Sequence, residues 1–153
     1  MEKTLLLIKP SAIQRSLIGE VISRLEKKGL RIAGMKMMVL SEEIINEHYA
    51  HLITKSFFPN IKKSMTATPL IAMCLAGKDA VDVVRRLTGA TNGREALPGT
   101  IRGDLSSSIS ENIVHASDSL ETAAVEVKRF FKPEEIFEYS PVAINFTFGP
   151  EEL

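Results

Sequence analysis

The segment RGDLSSSISENIVHASDSLETAAVE, residues 102–126, contains a loop, a strand and a helix start in succession. A polar loop gives way to the short apolar run 113–114, which predicts a strand that delivers His115. Asp118, with Glu121 three residues later, predicts a capping-box start for the next helix. The residues alone leave two interpretations of His115. It is either a nucleophile or acid–base group at a strand end, or an ordinary surface histidine before a helix cap.

Apolar strands alternate with amphipathic helices over the rest of the chain. Strands are predicted at residues 4–8, 31–40, 70–76 and 113–114, and helices after Pro10, from Ser41, at 57–65, from Asp79, and from Asp118 until Pro133 ends the last one. This order is typical of the α+β class. It predicts a ferredoxin-like β-α-β-β-α-β sandwich, a four-stranded antiparallel sheet with helices on one face.

The composition indicates one ordinary globular domain. The 153 residues, 44% hydrophobic and 25% charged, are enough for a single core, with 140–153 forming a C-terminal tail. No apolar run approaches the roughly 20 residues of a membrane span, and the N-terminal run is too short for a signal peptide. The single Cys74 lies in an apolar run and is expected to be core. We therefore expect a cytoplasmic protein.

The charges cancel over the chain but are unevenly distributed. Nineteen basic residues balance nineteen acidic ones, which argues against a dedicated nucleic-acid surface. Residues 1–103 carry a balance of +7, and residues 104–153 a balance of −7. A site for an anionic substrate should therefore take its cations from the first two-thirds, although two solvated faces would give the same pattern.

Several local patterns lead to specific expectations. In the strand 31–40, alternation places Ala33, Met35, Met37 and Val39 on the more buried face, with the methionines filling the core. His48 and His51 flank the apolar stripe of their helix without a metal-ligand partner, so both are predicted to be surface or partly packed.

Two segments have no periodicity. Residues 90–111, ATNGREALPGTIRGDLSSSISE, are predicted to be a functional loop, with Arg94 and Arg102 available for an anion. The tail contains SPVAINFTF, which is predicted to be an extended apolar segment that packs on another surface.

Five motifs occur in one order with fixed gaps. They are TLLLIKP at 4–10, EHYAHL followed by FFPNI at 47–61, GATN at 89–92, LPGTIRGD at 97–104 and NIVHASDS at 112–119. Together, over about residues 3–139, they resemble the nucleoside diphosphate kinases. The resemblance implies the ferredoxin-like fold and an enzyme that moves the γ-phosphoryl of a nucleoside triphosphate onto a histidine, then onto a different nucleoside diphosphate.

The resemblance also implies catalytic roles. His115 matches the phosphorylated histidine, Glu126 the acid that orients its imidazole, and Ser117 the hydroxyl bonded to that acid. Lys9 belongs to the same set, and Tyr49 resembles a buried hydroxyl that braces Lys9 and His115. A neutral histidine is needed for attack, which an ordinary imidazole pKa permits.

A nucleotide site follows from the same resemblance. Lys9, Arg85, Thr91 and Arg102 match the groups that hold the phosphates, Asn112 contacts the ribose, and Phe57 stacks on the base, with Ile61 and Ile109 completing an apolar slot. Mg²⁺ is expected to arrive bridging the nucleotide's phosphates, without protein ligands. The implied partners are nucleoside triphosphates and diphosphates and further copies of the chain, with a hexamer favoured and a tetramer as the alternative.

The sequence departs from the family pattern at a few positions. Ser11 and Ala12 replace a common Asp-Gly, Ala116 replaces a common Gly, and Gly93 stands where many members have Pro. None removes a chemical group, but Gly93 is expected to relax its loop and weaken assembly.

Two other functions are possible for such a fold. A nucleotide-binding regulatory or interaction protein without turnover would have lost His115 or a phosphate-holding cation, and this chain keeps them. An RNA-binding domain would carry aromatic residues on its central strands, and TLLLI and LIAMCLA carry none.

Overall fold

A four-stranded antiparallel sheet forms the centre of the computed structural model, which describes residues 1–152. The strands are β1 (Glu2–Ile8), β2 (Arg31–Met38), β3 (Leu70–Gly77) and β4 (Val114–Ala116), in the order β2-β3-β1-β4. In the register, Leu5 pairs with Cys74 and Leu6 with Ala116. This confirms the predicted ferredoxin-like sandwich.

The helices surround this sheet. They are α1 (Pro10–Gln14), α2 (Ile18–Lys27), α3 (Glu42–His48), α4 (Phe58–Met65), α5 (Ala80–Thr88), α6 (Ile101–Leu105), α7 (Leu120–Phe130) and α8 (Ile144–Thr147), with 3₁₀ turns at Ala50–Leu52, Pro133–Glu135 and Pro150–Glu152. No helix in this part of the chain has the length and apolar character that a membrane crossing requires.

Both faces of the sheet are covered, whereas the sequence analysis placed helices on one face only. Leu6 and Ile8 of β1 pack in a core with α2 and α5, while Leu5 and Leu7 pack in a second core with α3, α4 and α7. Successive side chains of a strand point to opposite faces, and all four are fully buried. The continuous apolar run of β1 is therefore the signature of a strand buried on both sides.

The first helical segment differs from its prediction. It is broken into α1 and α2 because Ser16 adopts a left-handed conformation with φ of 57°. Pro10 occupies the first turn of α1, where its missing N–H costs nothing. Gly29, at φ of 94°, follows α2 as predicted.

The prediction for the alternation in β2 was wrong. A bulge between Ile32 and Gly34 shifts the register, and Met35 and Met37 are 51% and 57% exposed instead of filling the core. β2 is an edge strand, so it has no neighbouring strand on one side. Gly34 leaves room for the chain around Phe131 and Glu135, which a Cβ would overlap.

The segment between α5 and β4 is not the structureless loop that was predicted. It contains α6, which Thr100 caps by accepting a hydrogen bond from the Gly103 N–H at 3.0 Å. Gly93 is buried, and a Cβ there would overlap the backbone of Ser106. Its N–H donates to the Ser108 carbonyl at 3.1 Å, so Gly93 permits a close approach that Pro would prevent.

The tail is also not extended, because residues Ile144–Thr147 form the short helix α8. Residues that precede α8 attach the tail to β2. Arg31 donates to the Glu138 carboxylate at 2.6 Å, and the Tyr139 hydroxyl donates to the Ile32 carbonyl at 2.8 Å. Val142 and Phe146 remain almost fully exposed.

Candidate active site

His115 lies in the middle of β4, and a buried carboxylate from α7 holds it. Its Nε2 lies 3.0 Å from Oε2 of Glu126, and the Ser117 hydroxyl donates to the same oxygen at 2.6 Å. Glu126 and Ser117 are buried, and the His115 ring is partly exposed. The structure therefore brings together the three residues that the sequence analysis grouped.

The hydrogen bonds determine which nitrogen of His115 is free. Burial acts to raise the pKa of Glu126, but the hydrogen bonds from His115 and Ser117 outweigh it, so the pKa lies below its ordinary value. An ionised carboxylate only accepts hydrogen bonds, so Nε2 carries the proton that it donates. In the neutral ring, Nδ1 then keeps its lone pair for attack.

The strand that carries His115 begins from a strained turn. The Val114 N–H donates to the Asn112 carbonyl at 2.8 Å across Ile113, whose φ is 74°. This is the geometry of the rare classic γ-turn, which a β-branched residue adopts at a cost of about 1–3 kcal/mol. The Ile113 side chain is fully buried in the core, and that burial offsets the strain.

The cap of α7 lies one residue later than predicted. Ser119, not Asp118, is the N-cap, and its hydroxyl accepts a hydrogen bond from the Thr122 N–H at 3.0 Å. Asp118 is exposed. Both residue types are good N-caps, so the composition of SDS could not decide between neighbouring positions.

The prediction for His48 was wrong, because this histidine is buried inside the site. It is 6% exposed, and the centre of its ring lies 4.6 Å from that of His115. His48 follows the buried Ile45 of α3 by three residues, and this spacing could have revealed that it faces the core. His51 is exposed, in agreement with its prediction.

The only group of metal-ligating side chains found in residues 1–152 does not fit Mg²⁺. Ligand atoms of His48, His115 and Glu126 lie within 4.8 Å of one another. Two imidazoles and one carboxylate suit a transition metal, whereas Mg²⁺ takes oxygen ligands. The guanidinium of Arg129 lies 3.1 Å from Nδ1 of His48 and would repel a cation there.

Lys9 follows β1 and lies against the loop before β4. Its Nζ donates to Oδ1 of Asn112 at 2.6 Å, and the Asn112 amide donates to the Thr91 carbonyl at 3.0 Å. Burial and, secondarily, the positive charge of Arg102 lower the pKa of Lys9 to about 8, against the opposing effect of Glu111. Lys9, Thr91 and Asn112 thus line one cleft.

The same cleft has an apolar wall and a volume of about 520 Å³. Phe57, Ile61 and Ile109, the three predicted base-contacting residues, all line it. Leu52 and Met65 line it as well, and sequence reasoning missed them because their periodicity indicates core. A flat aromatic ligand could be held between these apolar side chains.

Arg102 donates three of its five N–H groups to the backbone, which leaves two for an anion. Its guanidinium donates to three carbonyl oxygens, at 2.9 Å to Gly89, 3.2 Å to Asn112 and 2.8 Å to Val114. It is 8% exposed, and burial together with the charge of Arg85 lowers its pKa to about 10. Arg85 is exposed in the last turn of α5.

The family resemblance implied that the Tyr49 hydroxyl braces Lys9 and His115, and the structure shows a different arrangement. In residues 1–152, no hydrogen bond joins its hydroxyl to either residue. Burial and the nearby negative charge of Glu126 raise the pKa of Tyr49, so the hydroxyl stays protonated. Its side chain lines both the apolar cleft and the neighbouring cleft of about 590 Å³ that contains His115.

Comparison with known proteins identifies the family. The family model described as nucleoside diphosphate kinase matches residues 2–136, which include every predicted site residue. The chain belongs to the nucleoside diphosphate kinase family.

Individual relatives agree with this assignment. The nucleoside diphosphate kinase of Parabacteroides distasonis is 63% identical over 139 residues, which cover 91% of each chain. That of Pyrococcus horikoshii is 50% identical over 145 residues, which cover 93% of this chain and 92% of that protein. The solved structure of a halophilic nucleoside diphosphate kinase from Halobacterium salinarum in complex with CDP is 38% identical. It has a TM-score of 0.93 and covers 96% of this chain and 98% of that chain.

Proposed function

We propose that this nucleoside diphosphate kinase transfers the γ-phosphoryl group of a nucleoside triphosphate to a nucleoside diphosphate through phosphorylated His115. The observation that carries the proposal is the hydrogen bond from His115 Nε2 to the buried Glu126 carboxylate. It leaves Nδ1 as the free nucleophile on a ring whose orientation is fixed.

The reaction proceeds in two equivalent halves. The Nδ1 lone pair of His115 bonds to the γ-phosphorus as the bond to the bridging oxygen breaks, and the nucleoside diphosphate leaves with that electron pair. A second diphosphate then attacks phosphohistidine with a terminal oxygen, and the bond to Nδ1 breaks. Glu126 stabilises the imidazolium character that develops on the ring in each half.

The two clefts supply positioning. Lys9, Thr91, Arg85 and Arg102 would hold the phosphates, and Asn112 would contact the ribose. Arg102 already donates to three carbonyls, which supports a share for it in shaping the backbone of the site as well. Phe57, Ile61 and Ile109 would hold the base by stacking and apolar contact, which does not read its edge and so accepts any base.

We propose that Mg²⁺ enters bound to the nucleotide's phosphates. The cluster of His48, His115 and Glu126 offers two imidazole nitrogens and one carboxylate beside an arginine, whereas Mg²⁺ prefers oxygen ligands. When bound, the ion would neutralise phosphate charge, and the residues named above would still orient the nucleotide.

The test is phosphoenzyme formation. The protein is incubated with γ-labelled ATP and Mg²⁺, and the label on the protein should be acid-labile and base-stable, as expected for phosphohistidine. His115→Ala should remove it, whereas the exposed His51→Ala, a matched control, should not. Label that persists in His115→Ala would contradict the mechanism.

Adding a non-adenine nucleoside diphosphate to this incubation distinguishes an enzyme from a regulatory protein of this fold. A nucleotide-binding protein without turnover would bind nucleotide but would not convert a non-adenine diphosphate to its triphosphate. We expect conversion with wild type and none with His115→Ala. No conversion by wild type would favour the regulatory alternative.

We also propose a cytoplasmic homo-oligomer, with the hexamer favoured over the tetramer. Exposed apolar side chains support association of further copies. Met35 and Met37 lie on the edge strand β2, and Val142 and Phe146 lie in the tail. Burying such exposed apolar side chains against further copies would remove their surface from water.

A further inference from the structure

His48 is buried in the site and packed among aromatic rings, although the reaction described above does not use it. Its ring is nearly perpendicular to those of three neighbours. Ring centres lie 4.6 Å from His115, 4.8 Å from Tyr49 and 5.3 Å from Phe130. Such edge contacts have a preferred geometry, so they restrict the ring of His115 as well as that of His48.

The protonation state of His48 follows from its partner. The Arg129 guanidinium, which only donates, lies 3.1 Å from Nδ1, so Nδ1 accepts and the proton of the neutral ring is on Nε2. Burial, and then the neighbouring His115, lower the pKa of His48 to about 3. Nε of Arg129 also lies 3.0 Å from the carboxylate of Glu47, with which it forms an ion pair.

A neutral His48 leaves Glu126 available to His115. Nδ1 of His48 lies 3.8 Å from Oε1 of Glu126, while Oε2 takes the hydrogen bonds from His115 and Ser117. A protonated His48 would donate to Oε1 and compete with His115 for the carboxylate. The Arg129 hydrogen bond prevents this because it occupies Nδ1.

We propose that His48 is a positioning residue for His115. By accepting from Arg129 and packing against the His115 ring, it holds the orientation in which Nε2–H meets Glu126 and Nδ1 is free to attack. This inference rests on the proposed function. A histidine that merely filled the core could be replaced by phenylalanine without consequence for His115.

The variants separate packing from hydrogen bonding. His48→Phe keeps a ring against His115 but removes the acceptor, and Arg129→Met removes the donor. In His48→Asn the side-chain oxygen takes roughly the position of Nδ1, so it keeps the acceptor and loses the ring. His51→Asn is the matched control, because His51 is three residues away and exposed.

Two measurements read out the effect. Nitrogen-15 NMR of the imidazoles in nucleotide-free protein reports which nitrogen of His115 carries the proton. Single-turnover phosphorylation by ATP and Mg²⁺ gives the rate at saturation and the nucleotide concentration for half-saturation separately.

We expect wild type and His51→Asn to show His115 protonated at Nε2 alone, and His48→Phe and Arg129→Met to show a mixture of the two tautomers. The phosphorylation rate at saturation should fall about tenfold or more in those two variants, because misorientation of a reacting group is costly. The nucleotide concentration that gives half-saturation should stay within about twofold of the wild-type value. His48→Asn should recover part of the rate. If His48→Phe does not fold, His48→Asn and Arg129→Met carry the test.

A single His115 tautomer in folded His48→Phe, with a rate within about twofold of wild type, would overturn the inference. A change confined to the nucleotide concentration that gives half-saturation would also overturn it, and so would an equal loss of rate in His51→Asn. Wild type that forms no phosphohistidine would overturn the proposed function instead, and the NMR result would still decide the role of His48.

Discussion

At the scale of single residues, burial gives Lys9 an unusual ionisation. Its pKa of about 8 arises because burial and the charge of Arg102 disfavour the ammonium, while its hydrogen-bonded partner Asn112 is neutral. Below this pKa the side chain is charged and attracts phosphate, and above it the attraction is lost. The alkaline limit of nucleotide capture is therefore expected to lie near pH 8 in the free enzyme.

The prediction is a fall in kcat/KM above about pH 8, approaching tenfold per pH unit if one proton is required. Lys9→Arg should keep its charge, so any activity that it retains should lack this limb. Steady-state kinetics between pH 6.5 and pH 9.5, at constant ionic strength, measure the profile. A wild-type profile that stays flat across this range, or an unchanged limb in Lys9→Arg, would contradict the role of the Lys9 charge.

At the scale of elements, Ser119 caps α7, the helix that carries Glu126. Ser119 satisfies the Thr122 N–H at the first turn of the helix that carries Glu126. Ser119→Ala should lower the free energy of unfolding by about 1 kcal/mol. Asp118→Asn, the matched control one residue earlier, should cost less than about 0.5 kcal/mol, because Asp118 is exposed.

Denaturant unfolding at a fixed protein concentration measures both values. A larger loss from Asp118→Asn than from Ser119→Ala would show that the cap lies where the sequence pattern placed it.

At the scale of the whole molecule, the edge strand β2 carries the exposed Met35 and Met37, which the proposed oligomer would bury. Met37→Glu should weaken assembly, because burying a carboxylate without a partner is costly. Light scattering should give a multiple of the 16.9 kDa chain mass for wild type and a smaller multiple for the variant. Ile53→Glu, another exposed apolar position outside β2, is the control.

A monomeric wild type would refute the proposed oligomer. An unchanged mass for Met37→Glu would show that β2 is not part of the interface.

Much of the fold and of the candidate site can be predicted from local sequence patterns. The apolar runs of β1 and β3 predicted strands because a strand buried on both faces must be apolar throughout. Ser41 was correctly predicted as a cap, and it accepts from the Ile44 N–H at 3.2 Å. The motifs around His115 led to Glu126 and Ser117, and the geometry joins Glu126 to the imidazole and Ser117 to Glu126.

Other features depend on contacts between distant segments. The exposure of Met35 follows from a bulge and an edge position, and the covering of both faces follows from how the helices pack. Arg102 binds three carbonyls that only the folded chain gathers.

The sequence by itself determined the family and the order of the strands along the chain, and it predicted His115 as the nucleophile, because local patterns and motif spacing carry that information. The tertiary structure alone decided the burial of His48 and its contacts with His115 and Arg129. The physical reason is that burial, and with it the ionisation of a side chain, depends on neighbours that are 67 and 81 residues away along the chain.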